Sequence, residues 1–189
     1  MTWVTMFLLA ALAFWVLLET GLEYFFRSPL EANRQDGGHS TRFNLVVSSV
    51  IVVWGFALAF DALRASRVAL YMPRTACGLL AAGLLLRLYA VGTLRKQFTV
   101  DLAIQPGHRL IQSGPYRKVR HPSYTGALMC FSGLALSVGY WGTALLMLLP
   151  IGSAYFWRIR KEERILAKAF GSAYRDYCGR TCRLIPGIL

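Results

Sequence analysis

The 189-residue chain is short of acids, with nine Asp and Glu against 21 Lys and Arg, and all charged residues together make up only 16% of it. It has four cysteines and three histidines. Cys77 and Cys130 fall in apolar runs, while Cys178 and Cys182 lie four apart with no histidine beside them. A zinc site needs two more ligands than that pair supplies, and a disulfide needs an oxidising compartment, so neither is expected. No Gly-rich fingerprint stands between a strand and a helix, which argues against a soluble Rossmann-type cofactor site. No linker, low-complexity tract or internal repeat divides the chain, so a single domain is expected.

What the chain has in excess is apolar sequence: 56% of residues are hydrophobic and the mean hydropathy is +0.45. A bilayer-crossing helix needs about 20 predominantly apolar residues. Runs of that kind occupy 1–22, 43–60 and 75–94, the last interrupted only by Arg87. Two more, 124–138 and 142–157, are uncharged and separated by Gly139, Tyr140 and Trp141, a pattern for a tight helical hairpin with an aromatic anchor at the interface. The expected fold is therefore an all-α integral membrane protein of about five transmembrane helices. Ala11, Leu12 and Ala13 resemble a signal-peptide cleavage site. However, no positive n-region precedes them and the apolar run continues through Leu18, so an uncleaved helix is expected.

A net charge of +12 could point to nucleic acid, but its placement points to a membrane. Five spans define two sides. One side, holding segments 27–42, 92–124 and 158–189, carries 17 Lys and Arg; the other carries three, Arg64, Arg67 and Arg74. By the positive-inside rule the first side is cytoplasmic, with the N-terminus outside and the C-terminus inside. Contact with anionic lipid headgroups follows, and nucleic acid is not expected as a partner.

Polar residues gather on the cytoplasmic side. Residues 96–105, KQFTVDLAIQ, alternate as an extended strand at an interface would, and Pro106 and Gly107 end them. Then comes GPYRKVRHPSYTG, residues 114–126. Pro122 suits the first position of a helix, where its missing N–H costs nothing. The amides of Ser123, Tyr124 and Thr125 at that helix start would favour a carboxylate or phosphate. Arg117, Lys118 and Arg120 just upstream read, one by one, as headgroup anchors. After the fifth run, WRIRKEERILAKAFGSAYRDY reads as one helix leaving the membrane. It places Arg158 and Glu162 at i and i+4, with Arg158 at the bilayer boundary, where an unpaired charge is expensive and often functional. Arg87, two turns from the cytoplasmic end of its run, reads first as a snorkelling residue and second as a cavity-lining one.

The succession GPYRKVRHPSYTG, apolar hairpin, KEERIL and FGSAYRDY resembles the isoprenylcysteine carboxyl methyltransferase family of integral membrane enzymes. The resemblance runs from about Lys96 to the C-terminus. It implies a methyltransferase core over 73–189 behind an N-terminal two-helix part, 1–72, with S-adenosyl-L-methionine bound in a cytosol-facing pocket. The cofactor contacts it implies are His108, Arg109, Leu110, Ile111, Tyr116, His121, Pro122, Ser123, Tyr124 and Glu162. It further implies that Arg158 faces the substrate carboxylate and acts with Glu162 in catalysis. The family's Gln near Asp101 is missing, which puts that contact in doubt, and Glu162 is preferred over Glu163 only by spacing from Phe170 and Gly171. The residue chemistry is compatible. Glu162 can balance a cation, Tyr116 and Tyr124 offer ring faces, and a carboxylate acceptor, already ionised at neutral pH, needs positioning more than a base.

The implied reaction is attack of a carboxylate oxygen on the sulfonium methyl, giving a methyl ester on a lipophilic or lipidated substrate whose tail stays in the bilayer. Other readings stay open. An amine lipid as acceptor would recruit His121 or Glu162 as base; an NADPH-dependent membrane reductase and a non-enzymatic scaffold are further removed. An Arg to Lys ratio of 17 to 4 hints at a GC-rich bacterium, and hence an inner-membrane location.

Overall fold

In the computed structural model the described residues are 73–95, 109–138 and 141–187, with isolated positions at 10, 13, 14, 16, 17, 20, 21, 47 and 48. The apolar runs 1–22 and 43–60, the expected strand 96–105, Asp101, His108 and the hairpin residues Gly139 and Tyr140 lie outside them, wholly or in large part.

Four α-helices and one 3-10 turn make up the elements described: α1 (Pro73–Leu94), the turn Gly114–Arg117, α2 (Pro122–Val138), α3 (Trp141–Phe170) and α4 (Ser172–Arg180). Helix α1 has 22 residues, a length of about 33 Å at 1.5 Å per residue. Its residues Arg74–Leu94 are long and apolar enough to cross a membrane. Helix α2 starts at Pro122, as its N1 chemistry suggests. Helix α3 continues unbroken from the apolar run through Arg158 and the acidic pair to Phe170. There the expectation of one continuous helix through Tyr177 fails. Gly171 takes φ +54°, a conformation that costs a side-chain-bearing residue dearly, and the chain turns into α4. The turn folds Tyr174 and Tyr177 inward, both buried.

Helices α1 and α2 pack with almost no side chain between them. A Cβ on Gly83 would lie 2.5 Å from the Gly126 carbonyl oxygen, and one on Gly126 would lie 2.6 Å from that of Gly83. Farther along, Gly133 meets the Ala76 carbonyl in the same way. Small residues let backbones approach where lipid gives no hydrophobic drive for association. Around this seam Leu80, Ala127, Phe131 and Leu134 join Met147, Ile151 and Tyr155 of α3 in one core. The outer faces are the reverse: Leu85, Leu146, Leu149 and Trp157 are between 63% and 74% exposed. Large apolar side chains laid out in this way need an apolar solvent, since each would forgo roughly 1.5–3 kcal/mol in water.

Arg87, within α1, is the exception to this apolar interior. It is 6% exposed, and its guanidinium donates to Ser123 Oγ at 2.9 Å and to the Ser123 carbonyl at 3.3 Å. The side chain is therefore turned inward onto the start of α2 and does not snorkel to the interface. A buried charge is tolerable there because the polar end of α2 supplies its acceptors.

Candidate functional site

The segment before α2 is held from both ends. Gly114 takes φ +57°, and a Cβ there would meet Thr93 Oγ1 and the Tyr89 hydroxyl at 3.1 and 3.2 Å, so this turn seats against the end of α1 only as glycine. Its Tyr116 is buried, and the Tyr177 hydroxyl of α4 donates to its carbonyl at 2.7 Å. Beyond the turn the C-terminal tail pairs with the chain in parallel. Val119 bridges Cys182, the Arg120 amide donates to the Cys182 carbonyl at 2.8 Å, and the His121 amide donates to that of Arg183 at 3.1 Å. Thr125 Oγ1 adds a bond to the Leu184 carbonyl at 2.9 Å. Residues 60 positions apart thus fix where His121 and Tyr124 point.

On this frame a polar cluster forms between α2 and α3. The Tyr124 hydroxyl donates to Glu162 Oε2 at 2.7 Å and accepts from Arg158 Nε at 2.9 Å. The i and i+4 spacing of Arg158 and Glu162 puts both on the face that meets Tyr124. The ring of Tyr124 stacks on His121, 5.5 Å between centroids and 7° from parallel, and packs tilted against Tyr155 at 5.3 Å. His121 is buried between both acids, with Nδ1 3.8 Å from Glu162 Oε2 and Nε2 3.4 Å from Glu163 Oε1. Nε2 makes no well-aligned hydrogen bond. Tyr116 belongs to the same neighbourhood. Burial, then the negative charge of Glu162, pushes its phenol well above the usual range.

The two acids are not equivalent. Glu162 keeps 31% of its side chain exposed, against 14% for Glu163. Glu163 instead ties the frame together: Arg183 grips it through Nε at 3.1 Å and Nη2 at 2.8 Å, and Arg120 Nε reaches it at 3.2 Å. Arg120 also donates to the Cys178 carbonyl at 3.0 Å and to the Thr181 carbonyl. Burial pushes the Glu163 carboxyl up, but the nearby His121 ring and the hydrogen bonds and charge of Arg183 more than reverse this and bring it down to about 2. Arg120 is therefore no headgroup anchor: only 11% of its side chain is exposed. Arg117 and Lys118 are exposed, as anchors would be.

Tyr116, His121, Tyr124, Arg158 and Glu162 are thus brought together. Pro122 and Ser123 are buried beside them, but the Ser123 hydroxyl is engaged by Arg87 and faces α1. Arg109, exposed, and Leu110 and Ile111, half-buried, form the segment entering the turn. The expected anion site at the helix start is reduced, because the Tyr124 and Thr125 amides both point back to the His121 carbonyl at 3.1 and 3.0 Å. Tyr155, Arg120, Glu163 and Arg183 are site or frame residues that sequence reasoning did not assign. Only the adjacent aromatic run before Arg158 and the doubled acid signalled any of them.

The cluster's surroundings agree with known proteins. Residues 76–168 match the model of the isoprenylcysteine carboxyl methyltransferase (ICMT) family. The protein-S-isoprenylcysteine O-methyltransferase of Schizosaccharomyces pombe is 32% identical over 114 residues, 59% of this chain and 48% of the relative. That of Dictyostelium discoideum is 30% identical over 162 residues, 79% of this chain and 63% of the relative. A solved structure of the eukaryotic intramembrane Ras methyltransferase ICMT superposes with a TM-score of 0.59 at 26% identity, covering 79% of this chain and 54% of that one. The chain spans about half to under two thirds of the length of these relatives. Over residues 76–168 the chain is thus similar to that family, and its helical fold resembles that of the solved intramembrane methyltransferase.

Proposed function

We propose that this protein is an S-adenosylmethionine-dependent methyltransferase that esterifies the carboxylate of a lipophilic, isoprenylcysteine-type substrate. The observation that carries the reading is the Tyr124 hydroxyl bridging Arg158 and Glu162, at 2.9 and 2.7 Å, at the end of an apolar helix pair. One phenol holds a cation suited to a substrate carboxylate next to an anion suited to a cationic donor. That is the charge pattern methyl transfer between those two groups requires.

The residues present fit the cofactor chemically. Glu162, the more exposed of the acids, answers its cationic groups, and Tyr116, His121, Tyr124 and Tyr155 provide aromatic surface. When bound, the group supplies an activated methyl that leaves S-adenosylhomocysteine behind as the substrate's carboxylate becomes a methyl ester. His108, Arg109, Leu110, Ile111, Pro122 and Ser123 are retained as contacts, Ser123 through its backbone. Arg158 binds and orients the acceptor: a guanidinium offers a carboxylate a planar, two-pronged grip, and commitment of its Nε edge to Tyr124 fixes the plane. No proton has to be removed from an ionised carboxylate, so orientation is the chief task of these side chains.

Architecture follows the same reading. Residues 1–72 contribute two further membrane helices, giving five, with the N-terminus outside and the C-terminus cytoplasmic in a bacterial inner membrane. Support comes from the apolar runs, the 17-to-3 asymmetry of Lys and Arg and the exposed apolar faces of α1 and α3. The test is incubation of the purified protein with methyl-labelled S-adenosylmethionine and a farnesylated cysteine derivative. Base-labile label on the derivative supports the proposal; label on phosphatidylethanolamine nitrogen, or protection by NADPH and not by S-adenosylhomocysteine, refutes it.

A further inference from the structure

Beside Glu163, α3 and α4 line an open cleft of about 440 Å³. Arg160 and Arg164 of α3 and Arg175 of α4 line it, with Tyr174 and Glu163. Its charge is unbalanced. Glu163 is already taken by Arg183 and Arg120, whereas among the described residues the guanidinium groups of Arg164 and Arg175 have no acidic partner. Three arginines, all exposed, therefore face one opening whose single acid is neutralised from behind. Such an arrangement raises the local concentration of anions.

Its height relative to the bilayer narrows the choice of anion. If Arg158 marks the boundary of the apolar run, Arg160 and Arg164 lie about 3 and 9 Å farther along α3 at 1.5 Å per residue. The headgroup layer on each side of the hydrocarbon is about 5–8 Å thick, so both arginines fall within it or at its outer edge. Arg160 lies over the ring of Phe156, 4.3 Å from its centroid, one turn nearer the membrane. Phe156 and Trp157 are both exposed there, apolar surface along which an acyl chain can run. Charge, depth and apolar continuation coincide on one face.

The geometry points to this cleft as a binding site for a phosphate-class anion, supplied by the headgroup of an anionic phospholipid. Arg164 and Arg175 clamp the phosphate from two helices, and Arg160 holds it next to the Phe156 ring. Occupancy would tie α4, and with it Tyr177 under the Tyr116 turn, to the membrane surface.

The test uses the full chain in mixed micelles, with native mass spectrometry reading bound lipid as phosphatidylglycerol is titrated against phosphatidylcholine. One saturable phosphatidylglycerol is expected. Removing two headgroup contacts in R164Q/R175Q should raise the half-saturating mole fraction about 30-fold. A control at exposed cations outside the cleft, R117Q/K118Q, should change it less than twofold. Equal weakening by both pairs would mean diffuse attraction and overturn the site, as would equal retention of phosphatidylcholine. Inorganic phosphate alone forms a separate arm: binding that depends on Arg164 and Arg175 without any lipid adduct would overturn the headgroup assignment. Displacement of the lipid by S-adenosylhomocysteine would make the cleft part of the methyl-donor site and also overturn it. Methyl transfer is not read in any arm, so failure here and failure of the methyltransferase reading are distinguishable.

Discussion

Replacing Glu163 by Gln should remove stability in a way that depends on pH and leaves a clear signature. The folded carboxyl titrates at about 2 against an ordinary 4.5. Fully expressed, that shift corresponds to about 3 kcal/mol at 1.36 kcal/mol per unit. Arg183 keeps 34% of its side chain in water, and screening there cuts the usable part to about 1–2 kcal/mol. The sign follows from the direction. A depressed carboxyl stabilises the fold fully above its unfolded value, and the contribution is lost as pH falls through 4.5 towards 2. For a chain of this size 1 kcal/mol moves Tm by about 2–4 °C, so E163Q should melt roughly 2–8 °C below the parent at pH 7. Melts followed by circular dichroism in detergent micelles at pH 7, 5 and 3 check this. The gap between parent and variant should be nearly the same at pH 7 and 5 and clearly smaller at pH 3. A gap under 1 °C at pH 7, or one that does not change with pH, would refute the assignment of Glu163 as the ionised tie between α2, α3 and the tail.

Three other outcomes follow from particular contacts. Tyr124→Phe keeps the stack on His121 but cuts both charged hydrogen bonds; if orientation worth one such bond, about 1.5–3 kcal/mol, is lost in the transition state, kcat/KM for methyl transfer should fall roughly 10- to 150-fold. Gly126→Leu should abolish recovery of monodisperse protein in size-exclusion chromatography, because even its Cβ would collide with the Gly83 carbonyl at 2.6 Å. Ser123→Ala leaves buried Arg87 short of its Oγ acceptor and should lower stability by about 1–3 kcal/mol, read as a shifted denaturation midpoint.

The parts of the fold visible in the sequence were those written in single helices. Periodicity and length gave α1, α2 and the apolar part of α3 nearly to the residue, and Pro122 marked a helix start because its chemistry is local. Arg158 and Glu162 could be paired from i and i+4 spacing alone. Their meeting at Tyr124 could not, since it depends on how α2 packs against α3, 34 and 38 positions away. Arg120 was misread for the same reason: its partners are Glu163, Cys178 and Thr181, and next to Arg117 and Lys118 it looked like one more lipid-facing cation. Arg87 looked free to snorkel because nothing near it in sequence announces Ser123 as its acceptor. Gly171 does not announce the break in sequence, because a lone glycine costs a helix only about 1 kcal/mol; in the fold it takes φ +54°, and Tyr174 and Tyr177 beyond it are buried.

Carboxyl methylation in the proposed function turns on Arg158. Its most direct measurement compares the parent with Arg158→Lys, using methyl-labelled S-adenosylmethionine and a farnesylated cysteine derivative. Lysine keeps the charge but loses the two-pronged grip, so base-labile ester formation should fall at least tenfold, chiefly through KM for the acceptor. Ester formation unchanged in the variant, or label appearing only on lipid amines in the parent, would contradict it.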